Sequence, residues 1–168
     1  MDLDFLKTEI DKIKLIKKDL ETLVNKYPKV IIIGNGGSNS IASHISVDYT
    51  KFLKKQAISF SDGPRLTAYI NDYGRDEAYK QFISEFVETT NYPKTLVILI
   101  SSSGNSMNIV NTAKYCQQNL IPYVALSGFN KSNKLNNMSA NFKYHVNCNS
   151  YGVVELAHEI LLHSIVKN

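Results

Sequence analysis

Between residues 4 and 26 the apolar positions Leu6, Ile10, Ile13, Ile16, Leu20, Leu23 and Val24 recur at three- to four-residue intervals, with lysines and acids between them. That period puts them along one side of a helix and predicts a long amphipathic α-helix. After Pro28 the pattern changes to short apolar runs at 30–33, 57–60, 95–100, 123–126 and 144–146, which predict strands. Helical spacing at 39–53, 76–89, 106–119 and 151–166 predicts the helices between them. Runs as uniformly apolar as Val30-Ile-Ile-Ile33 suit strands covered on both faces. Strands alternating with helices imply a parallel sheet between helix layers. The expected fold class is α/β: a flavodoxin-like three-layer sandwich, with a five-stranded parallel sheet in the order 2-1-3-4-5 and an added N-terminal helix. No repeat, linker or low-complexity tract divides the chain, so residues 1–168 are expected to form one domain. The apolar stripe of the first helix, within residues 1–27, can be covered either by its own sheet or by copies of itself at an oligomer interface.

Two loops interrupt this pattern with small polar residues. Gly34-Asn-Gly-Gly-Ser38 follows the first strand and Ser101-Ser-Ser-Gly-Asn-Ser106 follows the third. In the expected order strands 1 and 3 are neighbours and the chain changes winding direction between them, so both loops open on one crevice. Serine hydroxyls and the backbone N–H groups at helix starts can hold a phosphate there without an arginine. Either loop alone could equally be a tight turn. The dinucleotide pattern G-x-G-x-x-G fails because Asn39 stands at the third glycine, and there is no P-loop lysine, so no nucleotide cofactor is expected.

Composition narrows the picture further. The formal charge of +4 is modest, and no basic stripe interleaved with aromatics accompanies it, which argues against nucleic-acid binding. Cys116 and Cys148 show no CxxC spacing and are expected to be free thiols in a reducing cytoplasm. The start, Met-Asp-Leu-Asp, lacks the charge and apolar core of a signal peptide, and no apolar run is long enough to cross a bilayer. Neither export nor a membrane partner is expected.

Gly34-Asn-Gly-Gly-Ser38 with His44 after it, Asn71-Asp72-Tyr-Gly74, Ser101-Ser-Ser-Gly-Asn-Ser106 and a closing helix ending Leu161-Leu-His163 resemble, in that order, the sugar isomerase (SIS) domain of phosphoheptose isomerases. The resemblance runs from about Val30 to the C-terminus. It implies an aldose–ketose isomerase interconverting sedoheptulose 7-phosphate and glycero-manno-heptose 7-phosphate, working as a homo-oligomer, usually a tetramer, with zinc in the site. By position it implies that Asn35, Gly36, Gly37, Ser38, Asn71, Asp72, Ser101, Ser102, Ser103, Ser106 and Glu155 contact the phosphosugar. His44, Asp48, Glu155 and His163 fall at the family's metal ligands, and Asp48 and His163 at its acid/base pair. Two departures stand out: the family usually has glutamate where this chain has Asp48 and glutamine where it has Glu155. Gly152 and Val153 also replace an acid and a basic residue common there.

Spacing adds constraints of its own. His44 and Asp48 lie i, i+4 on a predicted helix, where they can share one ion or simply hydrogen-bond to each other. Glu155 and His163 are separated by a rise of about 12 Å on one helix, too far to reach one ion together. If both serve one site, one of them must come from another copy of the chain. On that expectation, mixing His44→Ala and His163→Ala chains restores some activity. Within one helix the feasible pairs are Glu155 with His158 or Glu159 with His163, which makes Glu159 a competitor to Glu155. His145 has no such partner and reads as structural. The competing functional class is a SIS protein without catalysis that binds a phosphosugar or a protein partner, like the relative associated with the replication initiator. A SIS-type regulator acting on DNA would need a reader domain, and none is expected in this length.

Overall fold

The structure is a computed structural model that describes residues 2–87 and 94–166. It opens with α1 (Leu3–Asn25), β1 (Lys29–Gly34), α2 (Gly37–Lys51), β2 (Gln56–Ser59), α3 (Gly63–Tyr73) and α4 (Ala78–Phe86). Then come β3 (Thr95–Ser101), α5 (Met107–Gln118), β4 (Tyr123–Gly128), β5 (Phe142–Val146) and α6 (Tyr151–His163). The five strands are all parallel and ordered β2-β1-β3-β4-β5, as the periodicity led us to expect.

Side chains of the central strands alternate between two cores. Val30 and Ile32 of β1, with Leu96, Ile98 and Ile100 of β3, face α1, α2 and α6. Ile31, Ile33, Val97 and Leu99 face α4 and α5. A strand buried on both sides needs apolar residues at every position, which is why these runs show no polar alternation. Fully burying each such side chain contributes about 1.5–3 kcal/mol.

The stripe of α1 is covered within the chain. Ile13, Leu20 and Val24 are buried against α6 and β5, and Leu6, Ile16 and Leu23 pack on the same core. Glu9 is also fully buried on this face, where it accepts a hydrogen bond from Tyr144 Oη at 2.8 Å.

One helix is missing from the sequence reading. In α3, Asp62 caps the start by accepting from Arg65 N, Pro64 follows, and Gly74 ends it. Its Leu66, Tyr69, Ile70 and Tyr73 have helical spacing, yet none of its residues is fully buried, so its apolar signal was weak beside the turn-like Asn71-Asp72-Tyr-Gly74 string. The helix expected at 76–89 runs only from Ala78 to Phe86, and its last two predicted residues, Glu88 and Thr89, lie outside the described residues. The helix expected at 151–166 ends at His163 with Ser164 as its cap.

Candidate active site

The loops after β1 and β3 meet, since those strands are neighbours with Gly34 opposite Ile100. Between them lies a cavity of about 240 Å³ lined by Asn35, Gly36, Gly37, Ser38, Ser101, Ser102, Ser103, Ser106, Tyr151 and Glu155. Three helices start at its wall: α2 after Gly36, α5 after Ser106 and α6 after Ser150. None of these three N-caps makes a side-chain capping bond. Their first N–H groups and the positive ends of three helix dipoles therefore remain available to an anion.

The serine loop is held from below. Gly104 has φ +63°, and a Cβ there would strike the amide of Asn133, so only glycine fits. Gly104 N donates to Ser101 O at 3.0 Å, and Asn105 N to Ser103 Oγ at 3.3 Å. Ser102 Oγ is buried and has no hydrogen-bond partner among the described residues. A buried hydroxyl in that condition is costly unless a ligand pairs with it, and this one belongs to the cavity wall.

Asn35 is braced rather than free. Its amide exchanges two hydrogen bonds with the amide of Asn108 on α5, at 3.0 and 2.8 Å, and its oxygen also accepts from Tyr79 Oη at 3.0 Å. This pair ties the first loop to the helix that follows the second loop, and so sets the width of the cavity. Asn71 and Asp72, by contrast, sit exposed at the end of α3, bonded to each other, and do not line the cavity.

A second cluster stands where α2 and α6 cross. His44, Asp48 and His163 can each offer a ligand atom, all within 4.8 Å of one another. Asp48 Oδ2 is 3.3 Å from His163 Nδ1 and 3.7 Å from His44 Nε2, and the two imidazoles meet edge to face at 5.0 Å between centroids. Two imidazoles and a carboxylate make the donor set of a catalytic zinc site with an open position. His44, Asp48 and His163 of this cluster all come from one chain.

Glu155 does not join that group. Its carboxylate packs on Gly37, where any Cβ would collide with it, and burial raises its pKa above the usual carboxylate value. The spacing argument thus holds, and Glu159 is the carboxylate of α6 that reaches the histidines, 3.7 Å from His44 Nδ1 and 3.8 Å from His163 Nε2. A neighbouring hollow of about 340 Å³, lined by Gly37, Ser40, His44, Glu155 and Glu159 among others, shares Gly37 and Glu155 with the serine cavity. The serine cavity is therefore continuous with a hollow that reaches His44 of the cluster.

Helix α6 is fixed at both ends of this groove. His158 Nε2 donates to Ser127 O of β4 at 3.0 Å, and burial lowers its pKa to about 4. Tyr49 Oη, next to Asp48, donates to Leu162 O, next to His163, at 3.2 Å. His145 contacts Ser127 Oγ at 3.1 Å, away from the groove, in keeping with a structural role. Tyr151 was not singled out from sequence, although its place at the start of α6 was the available signal.

Among known proteins, the SIS domain matches residues 3–128, from α1 through β4. A phosphoheptose isomerase of Buchnera aphidicola subsp. Acyrthosiphon pisum (strain Tuc7) is 35% identical over 116 residues, covering 66% of this chain and 58% of that protein. The chain thus spans less than two thirds of the length of that relative. A phosphoheptose isomerase of Fusobacterium nucleatum subsp. nucleatum is 30% identical over 157 residues, covering 90% of this chain and 78% of that one. The solved phosphoheptose isomerase GmhA from Neisseria gonorrhoeae superposes with a TM-score of 0.80 at 21% identity, over 95% of this chain and 90% of that chain, and so shares the fold. With three quarters of its length matched and this sheet order, the chain belongs to the SIS domain family.

Proposed function

We propose that this chain is a phosphosugar aldose–ketose isomerase interconverting sedoheptulose 7-phosphate and glycero-manno-heptose 7-phosphate. The observation that carries the reading is a serine-lined cavity with three helix starts at its wall, joined to a hollow that reaches His44 of the His44–Asp48–His163 cluster. The names of the Buchnera and Fusobacterium relatives point the same way.

In this reading the phosphate takes the hydroxyls of Ser101, Ser102, Ser103 and Ser106, with the helix starts at Gly37, Met107 and Tyr151 around it. The sugar chain then runs past Gly37 and Glu155 toward His44. At the far end, one of Asp48 and His163 removes a proton from C1 of the ketose while the other supplies a proton to O2, giving the 1,2-enediol. Return of a proton to C2 and loss of the O1 proton give the aldose. His44, Asp48 and His163 would hold the zinc ion implied by the family resemblance. When bound, it would supply positive charge that stabilises the developing oxyanion of the sugar.

The open groove beside His44, lined by Asn39, Ser43, Val47 and Ser61, is a surface that a neighbouring subunit can roof in the homo-oligomer, usually a tetramer, that the family resemblance implies. Free Cys116 and Cys148 fit a reducing cytoplasm, and no helix among the described residues is long and apolar enough to cross a membrane. The test is NMR of zinc-supplemented protein with sedoheptulose 7-phosphate. Formation of the aldoheptose phosphate, absent with Asp48→Asn, is the expected result. Binding without conversion makes the chain a phosphosugar-binding SIS protein instead.

A further inference from the structure

Of the side chains lining the serine cavity, Tyr151 alone is aromatic. It is the first residue of α6 and 60% exposed, so the fold gains little by burying it. The ring is nonetheless held, edge to face against Phe129 at 4.7 Å between centroids. Phe129 has φ +58°, a left-handed backbone that a bulky side chain rarely adopts. Its N–H donates to Cys148 O at 3.2 Å, and its side chain packs on the core that faces α6. A Cβ at Gly128, the residue before it, would stand 2.6 Å from Val154 Cγ1 of α6 and 3.0 Å from Ser102 O. The turn after β4 thus touches both the serine loop and the start of α6.

We propose that Tyr151, held by Phe129, is the outer wall of the anion seat in the serine cavity and keeps water from the phosphate bound there. The inference rests on the reading of that cavity as a phosphate seat. Its donors are neutral: Ser102 Oγ is buried without a partner, and three helix starts carry no side-chain caps. Neutral dipoles hold an anion firmly only where water does not compete, because their attraction is several times stronger at low dielectric than in water. Serine side chains are too short to shield the solvent side of the seat. An aromatic ring is large enough, and with only two side-chain torsions it loses little freedom on being fixed. Contact with Phe129 has already taken up part of that loss. Backbone strain kept beside a cavity points to function, and here the strained turn places the Phe129 ring against Tyr151. Gly152, next in the chain, has open space where a Cβ would stand, so the wall ends there and leaves room for the sugar toward the hollow at His44.

The test uses the full chain with inorganic phosphate as the probe. By titration calorimetry Tyr151→Ala should raise its Kd about five- to twentyfold, whereas Tyr151→Phe, which keeps the ring, should stay within about twofold of wild type. Phe129→Gly keeps the left-handed turn but removes the support, and should raise Kd about three- to tenfold. The chain has no tryptophan, so Tyr151→Trp adds a single reporter, whose emission should move to shorter wavelength as phosphate fills the seat. An unchanged Kd in Tyr151→Ala or in folded Phe129→Gly overturns the proposal, as does an emission that ignores phosphate. Equal losses in Tyr151→Ala and Tyr151→Phe also overturn it, since the hydroxyl rather than the ring would then be the contact. A wild type that binds no phosphate removes the seat and this inference with it. Tyr151-dependent phosphate binding in a protein that does not convert sedoheptulose 7-phosphate removes the proposed reaction and leaves this inference standing.

Discussion

Asp48 Oδ2 lies 3.3 Å from His163 Nδ1, joining the C-terminal part of α2 to the last residue of α6. The contact brings together a carboxylate and an imidazole that the linear chain keeps far apart. Tyr49 and Leu162, their immediate neighbours, are hydrogen-bonded as well, so the backbone on both sides of the pair is held. Asp48→Asn keeps the shape and removes the carboxylate of the proposed acid/base pair. Turnover of sedoheptulose 7-phosphate should fall by about 10²- to 10⁴-fold, with phosphosugar binding by calorimetry nearly unchanged.

Ser102→Ala separates binding from folding. The hydroxyl has no partner within the described residues, so its loss should leave the thermal midpoint unchanged or slightly raised. A hydrogen bond to a charged phosphate is worth roughly 1.5–3 kcal/mol, so Kd for the phosphosugar should rise about ten- to a hundredfold. A destabilised variant with normal binding would show that Ser102 serves the fold.

Glu155 places a carboxylate at the mouth of the anion seat, against Gly37 at the start of α2. Burial raises its pKa, but once it ionises it opposes a phosphate in the same cavity. Glu155→Gln should therefore tighten inorganic phosphate binding by about three- to tenfold in mildly alkaline solution. The gain should shrink as the pH is lowered and the wild-type carboxyl takes up its proton. Titration calorimetry at two pH values checks both statements.

The amide pair of Asn35 and Asn108 predicts a coupled effect. Asn108→Ala leaves Asn35 without its two bonds across the cavity and should cost roughly 1–3 kcal/mol in urea unfolding. Phosphosugar affinity should drop too, because the first loop loses its tie to α5. Unaltered affinity would mean that the loop keeps its width without the brace.

His158 gives a pH signature to stability. It is fully buried with its pKa lowered from 6.5 to about 4, beside Tyr144 and near His145. Between these values the unfolded chain binds a proton that the folded chain refuses, so stability falls as pH drops from about 6.5 to about 4 and this contribution levels off below. The loss is on the order of 3 kcal/mol. His158→Gln, which retains a donor for Ser127 O, should flatten that part of the profile in denaturant titrations.

Most of the fold was legible because local patterns encode it. Strands buried on both faces must be apolar throughout, and Val30 to Ile33 and Leu96 to Ile100 are. The anion seat was legible for a related reason: the glycines and serines that make it lie together in two short loops at adjacent strand ends. The helix α3 was missed because it buries no residue completely, and a half-covered helix leaves only a faint period.

Residue patterns thus determined the sheet order and the serine cavity, and the family resemblance singled out His44, Asp48 and His163 as candidates. Only the tertiary structure decided which of them meet. The crossing of α2 and α6, set by Tyr49 and His158, brings His44 and His163 of the same chain together, admits Glu159 and leaves Glu155 at Gly37. Spacing along one helix limits what two residues can share, but the distance between two helices depends on packing across the sheet. No local pattern carries that information.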